Sequence, residues 1–291
     1  MLQPLFEHRL ELAGYETRAL ELEGQGPPVL LLHGYADSAD TWRSLLDLLA
    51  RQDRRALAVD LPGFGDAGPL DPTEPILPQL TRFTAAAVEH LAGEDGEDVV
   101  VLGNSLGGCL SIRAAQDPGL PLRGVVPVAP AGFEHPKWFS IIERDPLLRA
   151  LLTAPFPVPE RIVRGVVAQV YRQLVFAAPR AAAAEVVWSF THFFRTRDLV
   201  ARHLATGRRL IPELRDCFAL DDVRVPVLLI WGDRDRMVPH RGSRILIDAV
   251  PATEYEILPG IGHCPQLEAP HAVFELLERF CGAPAAAPAA A

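Results

Sequence analysis

At 291 residues with 49% hydrophobic content, the chain is long enough for one large core, and one main domain carrying an insertion is expected. A net charge of −9 with scattered arginines offers no electrostatic footprint for nucleic acid or anionic lipid, so no nucleic-acid partner is expected. No apolar run is long enough for an integral membrane segment, and Met1 to Gly14 lacks the uninterrupted apolar stretch of a signal peptide. Cys109, Cys217, Cys264 and Cys281 lie far apart and form no C-x-x-C pair, which argues against a zinc site or redox motif and makes a reducing cytoplasm the expected compartment.

In chain order, Glu16 to Glu23 alternates loosely and predicts a partly exposed strand, closed by a turn over Gly24 to Pro28. Val29 to Leu32 predicts a buried strand running into His33-Gly34-Tyr35, and Thr41 to Arg51 has helical spacing with Asp40 or Thr41 as its cap. A strand over Ala56 to Asp60, a Pro/Gly loop over Leu61 to Asp66 and a helix from Ile76 to Leu91 follow. Val99 to Leu102 is an apolar run of the kind buried on both faces of a sheet, and after Ser105 the pattern turns helical as far as Ala115. Gly124 to Val128 is the next strand.

This alternation predicts an α/β fold, a doubly wound and mostly parallel sheet with helices on both faces. Its sites belong at the carboxyl ends of the strands, where His33, Asp60, Ser105 and Ala129 fall. From 131 to 216 the alternation stops and gives way to helices separated by prolines, rich in aromatics such as Phe133, Trp138, Phe139, Phe156, Tyr171, Phe190 and Phe194. Most of these aromatics are expected to pack the insertion's own core, and a few to line a cleft beneath it. Sheet pattern returns over Val225 to Trp231 and Glu254 to Leu258, with helices over Ser243 to Val250 and Ala272 to Phe280. The expected organisation is a core of residues 1–130 and 217–282, a helical cap over 131–216, and a disordered Ala/Pro tail over 283–291.

The chemistry is carried by Gly103-Asn104-Ser105-Leu106-Gly107. A sharp strand-to-helix turn leaves room only for hydrogen atoms two positions either side of its centre, and it lifts the Ser105 hydroxyl above the sheet at a helix N-terminus. Serine is also a good N-cap, so this motif alone decides nothing. Asp235 and His263 supply the partners, each in a loop after a separate predicted strand. A serine hydroxyl needs an imidazole to take its proton, and the imidazole needs a carboxylate on its far nitrogen. The backbone N–H groups of Tyr35 and Leu106 are the candidate oxyanion donors. Asp233 is the rival acid. His33 is expected to shape the oxyanion loop by hydrogen bonding, the other histidines to be surface or cap residues, and Cys109 and Cys264 to be small packing residues. No H-E-x-x-H or similar cluster exists, so no metal and no cofactor are expected.

These segments resemble those of the α/β-hydrolase fold family, serine-nucleophile branch with a helical cap, over roughly residues 16 to 281. The resemblance rests on His33-Gly34-Tyr35 with Trp42, Asp60-Leu61-Pro62-Gly63-Phe64-Gly65, Gly103 to Gly108, Trp231-Gly232-Asp233-Arg234-Asp235 with Val238-Pro239, and Gly262-His263. It implies Ser105 as nucleophile, Asp235 as acid and His263 as base, and it disfavours the branches whose nucleophile is Asp. An aromatic cap with one lysine suggests an apolar small-molecule ester, lipid-like or aromatic. The elbow is also similar to that of carbon–carbon bond hydrolases acting on vinylogous diketones, although Cys264 stands where that subfamily usually carries Trp. Thioester hydrolysis and acyl transfer use the same triad. A ligand-binding module that retains the triad without turnover is the reading from another class.

Overall fold

The computed structural model describes residues 3–94, 96–134, 137–144, 146–153 and 157–282. The expected tail over 283–291, Phe156 and the Trp138 side chain lie outside the described residues. Eight strands form one sheet: β1 (Phe6–Leu12), β2 (Tyr15–Glu23), β3 (Gln25–Leu32), β4 (Arg54–Val59), β5 (Val99–Asn104), β6 (Leu122–Val128), β7 (Leu228–Gly232) and β8 (Glu254–Leu258). Their order is β1-β2-β4-β3-β5-β6-β7-β8, antiparallel at β1–β2 and β2–β4 and parallel elsewhere.

The period-two alternation of the central strands divides the core in two. Leu30, Leu32, Val99 and Val101 face α2 (Ile76–Ala92) and α3 (Leu106–Ala114), while Val29, Leu31, Val100 and Leu102 face α1 (Arg43–Arg51) and α11 (Pro270–Gly282). All eight of these side chains are fully buried. At about 1.5–3 kcal/mol for each buried aliphatic side chain, this two-sided burial fixes the strand register and with it the positions of the loops at the carboxyl ends.

Among the described residues between β6 and β7 run the α-helices α4 (Lys137–Arg144), α5 (Pro146–Thr153), α6 (Glu160–Val175), α7 (Ala184–His192) and α8 (Arg197–Glu213). Their Phe139, Val163, Val167, Phe194 and Leu204 join the apolar cluster on the α2–α3 face of the sheet. The last part of the chain adds α9 (Ser243–Ala249) and α10 (Pro265–Glu268) before α11.

Several details differ from the sequence expectations. β1 was not anticipated, because it is an edge strand whose side chains are mostly exposed, so its alternation carries little apolar contrast. The turn expected over Gly24 to Pro28 shrinks, since β3 starts at Gln25 and absorbs the prolines in a register shift before Val29. The helix expected from Thr41 is a 3₁₀ turn over Ala39–Trp42 followed by α1. Asp40 does not cap it; its carboxylate instead pairs with Arg18 (2.9 Å) and Arg43 (2.7 Å). Cys109 and Cys217, distant in sequence, bring their sulfurs to 3.8 Å, and Arg113 donates to the Cys217 carbonyl.

Candidate active site

Ser105 sits between β5 and α3 at φ 55°, ψ −108°, a conformation that an L-residue adopts only when its surroundings impose it. Those surroundings are close-packed backbone. A Cβ on Gly103 would meet the Gly107 carbonyl at 2.1 Å, and one on Gly107 would meet the Leu32 carbonyl at 2.1 Å. The Ser105 N–H donates to the Val128 carbonyl (2.9 Å), and its own carbonyl accepts from Cys109 (2.9 Å) and Ala131 (3.0 Å). The turn is thereby tied to β6 and to the start of the helical insertion.

His263, in the loop after β8, donates from Nδ1 to Asp235 Oδ2 at 2.7 Å. This bond puts the proton on Nδ1 and leaves Nε2 as the basic nitrogen. The Asp235 side chain is fully buried: Oδ2 also accepts from the Trp231 indole (3.2 Å), and Oδ1 accepts from the N–H groups of Met237 (2.8 Å) and Val238 (2.9 Å). Asp233 points elsewhere, accepting from Gly260 N–H at 2.6 Å on the surface. The imidazole is positioned through its backbone as well, because His263 N–H donates to the Val175 carbonyl (2.8 Å) at the end of α6, and its carbonyl accepts from Asn104 (3.0 Å).

Ser105 and His263 line the same cavity, of about 140 Å³, together with Tyr35 and Asn104. The Ser105 hydroxyl is not hydrogen-bonded to the His263 ring; catalytic hydrogen bonds of this kind often tighten around substrate. Apolar side chains of the insertion supply most of the wall, among them Phe139, Leu148, Val167, Phe190 and Phe194. Leu106 and Tyr35 flank Ser105 in an adjoining recess.

The loop carrying Tyr35 is fixed by His33. The Leu61 N–H donates to His33 Nε2 (2.8 Å), so the proton lies on Nδ1, which donates to the Gly34 carbonyl (2.7 Å). Complete burial pushes the His33 pKa down and keeps the ring neutral. Asp60 completes this support, accepting from Ala39 N–H (2.7 Å), Asp66 N–H (2.8 Å) and the Arg18 guanidinium (3.0 Å). Among the described residues no group of three or more His, Cys, Asp or Glu side chains is arranged to bind a metal ion, and no helix is long and apolar enough to cross a membrane.

A family model described as "Alpha/beta hydrolase family" matches residues 29–276. The chain belongs to that family. Among the curated relatives of this alpha/beta hydrolase is a pimeloyl-[acyl-carrier protein] methyl ester esterase of Aeromonas hydrophila, 27% identical over 271 residues, covering 91% of this chain and 99% of the relative. Solved structures of the same fold include the 2-hydroxy-6-oxo-6-phenylhexa-2,4-dienoate hydrolase of Rhodococcus sp. strain RHA1, with TM-score 0.74, 21% identity and coverage of 97% of this chain and 100% of that one. Another is the Cif epoxide hydrolase of Acinetobacter nosocomialis, with TM-score 0.76, 17% identity and coverage of 95% and 88%.

Some residues that organise this hydrolase's site carry no motif. Glu268 accepts from Gly262 N–H (2.7 Å) beside His263 and from Ala177 N–H (2.9 Å) after α6, stapling the insertion to the histidine loop. Burial pushes the Glu268 pKa up against those two hydrogen bonds. Cys264 fills a buried gap next to the histidine, its thiol 3.4 Å from Asn104 Oδ1 and its pKa raised by burial, which fits a packing role. His203, expected as a cap or surface residue, is buried in the cavity wall, its ring tilted 35° against Phe194 at 4.5 Å with Nδ1 donating to the Leu199 carbonyl (2.8 Å).

Proposed function

We propose that this hydrolase cleaves carboxylic esters of apolar small molecules through a covalent serine ester, with Ser105 as nucleophile, His263 as base and Asp235 as acid. The observation carrying the reading is the buried Asp235–His263 pair facing the same cavity as a serine held in a strained turn. In the first step Ser105 Oγ bonds to the ester carbonyl carbon as its proton passes to His263 Nε2. The oxygen that becomes negative is met by the Leu106 and Tyr35 N–H groups, and α3 adds its N-terminal dipole. Collapse expels the alcohol, which takes the proton from His263; water then repeats the sequence and frees the acid and Ser105.

Residues 131–216 act as the cap that selects the substrate, over a core of 1–130 and 217–282. The apolar wall supplied by α4 to α8 supports an apolar acyl or aryl group, and the methyl ester named for the Aeromonas relative is of the same reaction class. Carbon–carbon hydrolysis is the second reading, favoured by the Asn104-Ser105-Leu106-Gly107-Gly108 elbow and opposed by Cys264.

A panel of p-nitrophenyl esters of increasing chain length, run beside a chromogenic dienoate, tests both. Ester turnover is expected to peak at an intermediate chain length and to vanish in Ser105→Ala. Turnover confined to the dienoate would transfer the assignment to the second reading, and Ser105-independent turnover would end both.

A further inference from the structure

Among the described residues that line the cavity around Ser105 and His263, one is an Asp, Glu, Lys or Arg: Asp37, in the loop between β3 and α1. A carboxyl group in an apolar cavity is costly to retain, and its hydrogen bonds indicate whether it serves the fold alone. Its Oδ1 accepts from the Ser38 N–H (2.9 Å), which uses one of about four lone-pair directions, and the nearby Thr41 hydroxyl favours its charged form. Asp37 lines this cavity together with Tyr171 of α6 and Cys264 of the histidine loop; burial, with the Asp37 charge adding to it, pushes the pKa of both groups up. Three separate segments therefore contribute polar groups to a mostly apolar wall.

We propose that Asp37 is a specificity-determining residue of this cavity, its carboxyl group accepting a hydrogen bond from a hydroxyl group of the substrate, so that neutral hydroxylated esters are preferred over plain ones and over esters bearing a second carboxylate. The inference rests on the proposed ester hydrolysis. An apolar cavity by itself discriminates weakly for or against a hydroxyl, whereas a buried acceptor that a substrate must satisfy discriminates strongly. An added carboxylate meets the opposite situation, a buried group of the same charge.

The proposal carries a pH signature. Burial pushes the Asp37 carboxyl up to about 7, and Asp40 and Asp60 add to the shift while Ser38 and Thr41 oppose it. The other titratable groups of the cavity are Tyr35, Tyr171, Cys264, His203 and His263, and Arg18 of β2 pairs with Asp40 and Asp60. As pH rises from 6 to 8 Asp37 becomes charged, and discrimination against a carboxylate-bearing ester should rise with it.

The test uses aryl esters of one chain length: the plain acid, the acid with a hydroxyl at each successive carbon, and the half-ester of the matching dicarboxylic acid. In the wild type at least one hydroxylated ester should exceed the plain ester by tenfold or more in kcat/KM, chiefly through KM. Asp37→Leu should bring that ratio close to one. Asp37→Asn, which keeps an acceptor oxygen, should retain most of the hydroxyl preference and abolish the pH-dependent discrimination against the half-ester. A hydroxyl preference that survives Asp37→Leu, or is absent at every position, would overturn the proposal. If Asp37→Leu does not fold, half-ester discrimination that persists with an unchanged pH profile in Asp37→Asn would do the same. Absence of Ser105-dependent turnover of any plain ester by the wild type would instead remove the ester reading beneath it.

Discussion

Replacing His263 with alanine is expected to lower kcat by about four to six orders of magnitude on any ester the wild type hydrolyses, with KM changed little. The large effect on kcat follows because the imidazole is the one base paired with a buried carboxylate beside the strained serine. The small effect on KM follows because the cavity wall is built mainly from the apolar side chains of the insertion. The loop should survive the change, since the His263 N–H and carbonyl, rather than its ring, bond to Val175 and Asn104. Steady-state kinetics with a thermal melt as control checks it. Near-normal kcat in a folded variant would mean that another group serves Ser105.

The second large effect separates two acids that stand two residues apart. Asp235→Asn is expected to cost about 10⁴-fold in kcat, whereas Asp233→Asn should stay within a few-fold of wild type. An amide at 235 would face four donors, the Trp231 indole, the Met237 and Val238 N–H groups and His263 Nδ1, with a single acceptor oxygen. Its NH₂ would also favour the wrong histidine tautomer. An amide at 233 loses little, because its oxygen still accepts the Gly260 N–H at an exposed loop. Parallel kcat measurements on the two variants check the ranking, and the reverse order would move the acid to Asp233.

How much of this was legible in the sequence depended on the range of the interaction. Strand β5 and helix α2 announce themselves locally, through an apolar run and through helical spacing. Ser105, Asp235 and His263 each sit in a short motif at a strand end, and the structure brings Asp235 onto His263 and Ser105 and His263 to one cavity. The residues that sequence reasoning missed act across long separations. Glu268 works by bonding to Ala177 91 positions away, and the Cys109–Cys217 approach spans 108. Asp37 sits in the loop between β3 and α1, where no local pattern marks it, and the fold alone brings it to the cavity that residues of α6 and the histidine loop also line. β1 was overlooked for the converse reason: its alternation is present, but at the sheet edge neither face is deeply buried, so polarity and burial are poorly coupled.

The central claim, that Ser105 is the activated nucleophile, is tested most directly by reacting the protein with a fluorophosphonate and locating the adduct by peptide mass spectrometry. One adduct per chain is predicted, on Ser105, absent from Ser105→Ala and formed far more slowly in His263→Ala. An adduct on a different residue, or none on protein that is actively hydrolysing esters, would contradict the account.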